Sequence, residues 1–253
     1  MKQLLSLALL LLIFQSRAFA LYSNLAPSFR AYPIGATIEG MLGKDWYLYD
    51  DRNPKEFWKF GLMSLKAKGA AHGLVDLTLS TYPISFVKID LSVGGTYRYY
   101  NTSGFDCLQN ICQGFLARTG FGFSFILSFG DQDEFILVPG YKSTAVSHGQ
   151  TNKRIVDETE YLIASAGGDT LDQSSLFFGK TLRKGNVLGL YLKQSQYRNS
   201  QKQNEMQLIV MSWDWKKTAM NFGVGRYASD YHAPGFTLTA EYEWKWSESL
   251  ALF

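Results

Sequence analysis

Residues 236–247 read FTLTAEYEWKWS. Phe236, Leu238, Ala240, Tyr242, Trp244 and Trp246 share one parity, and Thr237, Thr239, Glu241, Glu243, Lys245 and Ser247 share the other. Strand side chains alternate between faces, so this stretch predicts a strand with one apolar and one polar face. The alternation holds for twelve positions. Strands in soluble domains run to about 5–6 residues, whereas a bilayer-crossing strand takes about 9–11. The same two-faced pattern recurs elsewhere. Phe121, Phe123, Phe125, Leu127 and Phe129 alternate with small or polar residues, except at Ile126, and Val87, Ile89, Leu91 and Val93 alternate with Lys88, Asp90, Ser92 and Gly94. No segment carries an apolar stripe at 3.6-residue spacing over a helical length.

Aromatic residues gather at the ends of these segments: Tyr97, Tyr99 and Tyr100; Trp213 and Trp215; Trp244 and Trp246; Trp46, Tyr47 and Tyr49. Trp and Tyr favour the headgroup level, because each ring is apolar with one polar handle. The first twenty residues, MKQLLSLALLLLIFQSRAFA, carry Lys2, an apolar run from Leu4 to Phe14 and the small-x-small triplet Ala18-Phe19-Ala20. This predicts a cleaved secretory signal over 1–20 and a single barrel domain over 21–253. The run is too short to anchor a helix across a bilayer. Its removal takes away Lys2 and Arg17, two of the three net positive charges. A net charge so small gives no argument for nucleic acid as a partner.

These features together resemble the Gram-negative outer-membrane β-barrel class, over the whole mature chain. The resemblance implies an all-β, antiparallel, up-and-down transmembrane barrel in the bacterial outer membrane. It also implies outer-membrane lipid as surroundings and the barrel-assembly machinery as partner during biogenesis. In that class a terminal aromatic serves as an assembly signal, and Phe253 matches by position. Its parity is opposite to that of Trp244 and Trp246, so the last strand either bulges within 247–252 or ends near Trp246.

Strands are expected near 37–49, 56–82, 85–100, 113–129, 134–146, 161–182, 187–198, 206–215, 219–227 and 236–246. That makes about ten, with twelve as the alternative, since such barrels normally have even numbers. Residues 56–82 keep an unbroken parity and suggest one long strand. A hairpin at Gly69–Gly73 also preserves parity but makes the total odd. Gly167-Gly168 reads as a kink or bulge in a long strand. Long outer loops are expected around 101–112, 147–160, 198–204 and 228–235.

The polar parity places Lys66, Lys68, Asp76, Lys88, Asp90, Arg98, Glu241 and Glu243 in the lumen, where they either pair and fill the interior or line a narrow pore. Trp213, Trp215, Trp244 and Trp246 form the girdle. Cys107 and Cys112 are expected to close a small disulfide loop, because export permits it and the scattered histidines supply no metal set. That loop reads as a point of external contact. No metal or other cofactor is implied. Three functions remain open: a non-enzymatic barrel serving as small or gated channel, surface-exposed binder or structural component; a membrane-embedded hydrolase acting on lipid or peptide; and a soluble periplasmic barrel holding a small apolar ligand. For the second, His72 and Asp76 lie roughly 13 Å apart along one strand, too far to pair, so His72, His148 or His232 needs a partner from another strand.

Overall fold

The computed structural model describes residues 20–31, 35–47, 62–70, 73–84, 86–98, 105–130, 134–149, 152–157, 160–182, 186–215 and 217–245. Among them are sixteen strands and no helix. Twelve build the wall: β1 (Ala20–Arg30), β2 (Gly35–Tyr47), β3 (Leu62–Ala70), β4 (Leu74–Ile84), β5 (Val87–Arg98), β7 (Gly114–Phe125), β9 (Phe135–His148), β12 (Gly168–Thr181), β13 (Val187–Tyr197), β14 (Gln203–Trp215), β15 (Thr218–Ser229) and β16 (His232–Lys245). Each pairs antiparallel with its neighbours in the wall. The ladders β1–β16 and β9–β12 close the ring. β8 (Leu127–Phe129) continues β7 past a break at Ile126 and also pairs with β9. The remaining three strands, β6 (Asn110–Ile111), β10 (Arg154–Asp157) and β11 (Leu162–Ala164), form a separate small sheet.

The count is twelve, the larger of the two expected numbers. Two strands account for the difference from ten. β1 begins at Ala20, the last residue assigned to the signal, and pairs along its whole length with β2, from Ala20↔Asp45 to Arg30↔Gly35. Residues 62–84 are not one long strand. β3 and β4 form a hairpin, with pairs from Gly69↔Val75 to Leu62↔Tyr82. The connection ends on Gly73, whose φ is +85°; a Cβ there would lie 2.1 Å from the Tyr97 carbonyl oxygen. Only glycine combines that backbone angle with so close an approach.

A third correction concerns 161–182. The wall strand starts only at Gly168, and Leu162–Ala164 belong to the small sheet. Gly167 and Gly168 have φ of 79° and 156°, so the chain turns there rather than kinking within a strand.

Register separates the two faces. One row of direct pairs runs Phe178↔Leu190↔Ile209↔Val224↔Leu238. Another runs Leu79↔Leu91↔Phe121. These rows face outward and stay open to the surroundings: Ile209 is 57% exposed and Leu91 51%. Phe129, Phe135 and Phe178 stack on the same face towards the short-connection end, with centroids 5.7–6.3 Å apart. The interior face is polar or small over much of its area. The largest buried apolar groups gather at one end only, where Leu116, Val146, Leu171 and Tyr197 from the wall meet Ile111, Ile155, Leu162 and Ala164. The core of this molecule is therefore a local one, built where the small sheet meets the wall.

The candidate functional site: an inner sheet at the barrel mouth

The connections following β5 and β9 are the longest among the described elements, and they leave the same end of the barrel. Both were expected to project outward. The second instead folds into the interior. β10 and β11 pair antiparallel, Ile155↔Ala164 to Asp157↔Leu162, and β6 of the first connection adds to β10 in parallel through Arg154↔Asn110 and Ile155↔Ile111.

The reason lies in five residues. Ile155, Val156, Leu162, Ile163 and Ala164 are all buried. Because strand side chains alternate, each strand presents apolar groups on both faces. Ile155, Leu162 and Ala164 pack on the wall, against Leu116, Val146, Leu171 and Tyr197. Val156 and Ile163 face the other way and are covered by Phe105, Cys107 and Cys112. At about 1.5–3 kcal/mol per large aliphatic side chain, burial of the four larger ones is the main force seating the segment.

Two carboxylates fix it in place. Asp157 is fully buried. Its Oδ1 accepts from the Arg118 guanidinium at 2.5 Å and its Oδ2 from the Tyr197 hydroxyl at 2.6 Å. Arg98, 1% exposed, donates from Nη1 to the Val156 carbonyl. Glu160 takes both its oxygens to Lys193 Nζ at 2.9 Å. It also accepts from Gln173 Nε2 at 2.9 Å and from Ser195 Oγ at 3.1 Å. Its carbonyl accepts from Asn204 and, at 3.2 Å, from the Tyr227 hydroxyl. The next residue, Tyr161, holds a left-handed backbone with φ of 53°. Such strain costs a non-glycine residue roughly 1 kcal/mol. The ring is gripped by Arg30, 5.4 Å from its centroid, and by Phe105 and His232 at 6.2 and 5.7 Å.

These anchors come from β1, β5, β7, β12, β13, β14 and β15, so the segment is tied to opposite sides of the ring and crosses the lumen. Buried ion pairs of this kind gain little over apolar packing, but losing one partner is costly, so they specify position.

The expected lumen charges lie on the interior parity. Lys68 pairs in register with Asp76 and forms an ion pair with Glu39. Lys88 meets Asp90 at 2.8 Å, and Asp90 also accepts from Ser80 at 2.5 Å. Thr78 donates to Asp76 at 3.2 Å, and Asn221 to Glu241 at 3.0 Å. Lys66 stands opposite Thr78 and Glu243 opposite Ala219. Of the eight, Arg98 reaches the inner sheet, at the Val156 carbonyl. On the interior face below, small residues make room for an aromatic ring. Phe177 lies flat over Gly179 and Gly189, where added Cβ atoms would come within 2.6–2.8 Å of its ring.

Cys107 and Cys112 are disulfide-bonded, with Cα atoms 5.5 Å apart. Cys112 is 3% exposed and covers the inner sheet, while Leu108 at the loop tip is 87% exposed. The loop therefore braces the segment as well as facing outward. Trp213 and Trp215 lie on the outward parity of β14, and Trp244 stands edge-on to Tyr242 at 4.6 Å. Trp246, Phe253, His72 and residues 1–19 fall outside the described residues. The His148 ring donates to the main-chain carbonyl of Gln113, and His232 packs among the rings of Phe105 and Tyr161. Burial pushes the Tyr231 hydroxyl above its usual range; this ring packs against both halves of the core. No group of metal-ligating side chains occurs among the described residues.

Asp157 and Glu160 were not read from the sequence. A signal was available but not a specific one: Ile155-Val156 and Leu162-Ile163-Ala164 are consecutive apolar residues, as strands buried on both faces require, yet wall strands carry such runs too, at Phe135–Val138 and Leu208–Met211.

A closed, antiparallel, even-numbered ring with an exposed apolar outer band and a polar interior satisfies what a hydrocarbon environment demands of a β structure. The architecture is that of an outer-membrane β-barrel. Solved structures with which the chain can be aligned are of this kind. The β domain of the Bordetella autotransporter BrkA is 13% identical, with a TM-score of 0.45 over 90% of this chain and 99% of that one. The NanC porin is 6% identical, with 0.44 over 87% and 97%. The transport unit of the autotransporter AIDA-I from Escherichia coli is 10% identical, with 0.42 over 92% and 91%. No protein-family model matches the chain, nor does any curated protein.

Proposed function

We propose that this protein is a non-enzymatic outer-membrane barrel that works as a small, gated channel, with its own β10–β11 segment as the resident constriction. The observation that carries this reading is the crossing of the lumen by that segment, anchored through Asp157 and Glu160 to opposite parts of the wall. Here the space beneath the constriction is lined by glycines, short polar residues and paired charges. Fixed charges of both signs suit the passage of small polar solutes rather than apolar ones. The outward band of apolar side chains supports insertion in lipid over the soluble alternative, which needs the reverse distribution.

Proteoliposomes swelling in small neutral sugars and in salts test the reading. Wild-type protein should admit solutes slowly, and Glu160→Ala should admit them several-fold faster, because it frees Lys193, Ser195 and Gln173 from the segment. Protein-free rates for both would overturn the channel and leave a structural or surface-binding barrel.

A further inference from the structure

Lys142 of β9 shares an interior row with Asp90, Gly122 and Gln173. Neighbouring lumen cations are engaged: Lys68 with Glu39, Lys88 with Asp90, Arg118 with Asp157 and Lys193 with Glu160. The Lys142 ammonium makes no hydrogen bond or ion pair among the described residues; Asp76, Asp90, Glu160 and Arg118 act on it from farther away. Ser92 and Thr144 are 9% and 5% exposed, and their hydroxyls likewise make no hydrogen bond among the described residues. Buried hydroxyls are seldom left so.

The three side chains meet at one place. Ser92 and Thr144 stand in register with Gly120, one on each neighbouring strand. A Cβ on Gly120 would lie 2.6 Å from Ser92 Oγ, 3.1 Å from Thr144 Oγ1 and 3.2 Å from Lys142 Cε. The stem of Lys142 arrives there across Gly122, with its own Cβ and Cγ 3.5 Å from where a Gly122 Cβ would be. Both glycines clear β7 for a close approach. Gly120 is two residues below Arg118, about 7 Å along the strand, and Arg118 holds Asp157. The cluster therefore lies directly beneath the constriction.

We propose that Lys142, Ser92 and Thr144 form a binding site for the carboxylate of a small organic monoanion, the solute class that the lumen takes up; the proposal rests on the channel reading above. An ammonium and two hydroxyls set three donors around one point, and charge-assisted bonds to a carboxylate are the strong kind. The surrounding charge narrows the class. Asp90 is held by Lys88 at 2.8 Å and by Ser80 at 2.5 Å, and Asp76 stands opposite Lys68 in register. With these acids on adjoining strands and one uncommitted ammonium, the site suits a single negative charge rather than the two of a phosphate.

The test is fluorine NMR of trifluoroacetate titrated onto the refolded barrel in non-ionic detergent, which reads binding without transport. Wild type should give saturable line broadening. Lys142→Met should bind about tenfold more weakly, the worth of roughly one charge-assisted hydrogen bond. Ser92→Ala/Thr144→Val should bind several-fold more weakly with the charge unchanged, and Lys142→Arg should still bind. Acetate should displace the probe, and inorganic phosphate should do so no better. Heat-modifiable gel mobility reports that each variant remains a closed barrel. Equal binding by wild type and Lys142→Met overturns the site, as does stronger displacement by phosphate than by acetate. Uptake of radiolabelled gluconate into proteoliposomes reads transport separately: slower entry through Lys142→Met than through wild type supports the solute class, and equal entry overturns it. Saturable binding that depends on Lys142, with no uptake above protein-free liposomes, overturns the channel reading instead and leaves the site standing.

Discussion

Replacing Asp157 with alanine should loosen the inner segment while leaving the wall intact. The carboxylate is fully buried and satisfies Arg118 at 2.5 Å and Tyr197 at 2.6 Å. Its loss strands a cation at a site where the Arg118 side chain is only 15% exposed. Removing one member of a buried pair costs about 3–5 kcal/mol. That cost falls on the docked state alone, since an undocked segment lets Arg118 meet water in the lumen. At tenfold per 1.4 kcal/mol, the undocked population rises between about a hundredfold and a few thousandfold. Trypsin reads this directly. Lys153 and Arg154 are exposed, but Arg154 is held in β10, and cleavage needs the strand to leave its partners. When opening and closing are fast, the cleavage rate follows the open population. The double variant Asp157→Ala/Arg118→Ala should recover much of the protection, because the stranded charge is gone. An Asp157→Ala protein that is cleaved no faster than wild type, while still a heat-modifiable barrel, refutes the assignment of Asp157 as an anchor.

Three further outcomes follow from the same geometry. Changing Cys107 and Cys112 together to serine frees a short loop whose closure is worth about 2 kcal/mol; faster proteolysis within 105–113 and at Arg154 should result, with no change in wall stability. Gly225→Ala places a Cβ 1.8 Å from the Gln207 carbonyl oxygen across the β14–β15 ladder, so the refolded yield of heat-modifiable barrel should fall sharply. Leu190→Arg, in the wholly apolar outer row, should cost about 2–4 kcal/mol in lipid refolding titrations, whereas Lys at the interior-facing position Ser175 should cost far less.

Much of the wall was legible in the sequence because a strand in a barrel wall sets an apolar outer face against a more polar inner one. The segments around Val87–Val93, Phe121–Phe129 and Phe236–Trp244 show it without interruption apart from Ile126. The hairpin at 71–73 was hidden by that same regularity. The β3–β4 connection preserved the parity of 62–84, and with β1 unrecognised the extra strand appeared to make the total odd. β1 itself alternates weakly, with Leu25, Pro27 and Phe29 set against Ala26 and Ser28, and abuts the apparent signal. The inner segment eluded reading for a different reason. Asp157 and Glu160 matter through Arg118, Tyr197, Lys193 and Tyr227, which lie 33 to 67 residues away. Only closure of the ring brings them together. The lumen charges, by contrast, sit on wall strands, where parity alone assigns their face.

The most direct test of the account is unitary conductance in planar bilayers. Refolded wild-type protein is compared with a variant in which residues 150–166 are replaced by a short Gly/Ser linker, an exchange the ladder permits because Ser147 and Gly168 are directly paired. Wild type should be silent or show small, brief steps, and the shortened protein should give steady steps several-fold larger, with heat-modifiable mobility unchanged in both. Equal conductance from the two proteins would contradict the account, because the segment could not then be what closes the barrel.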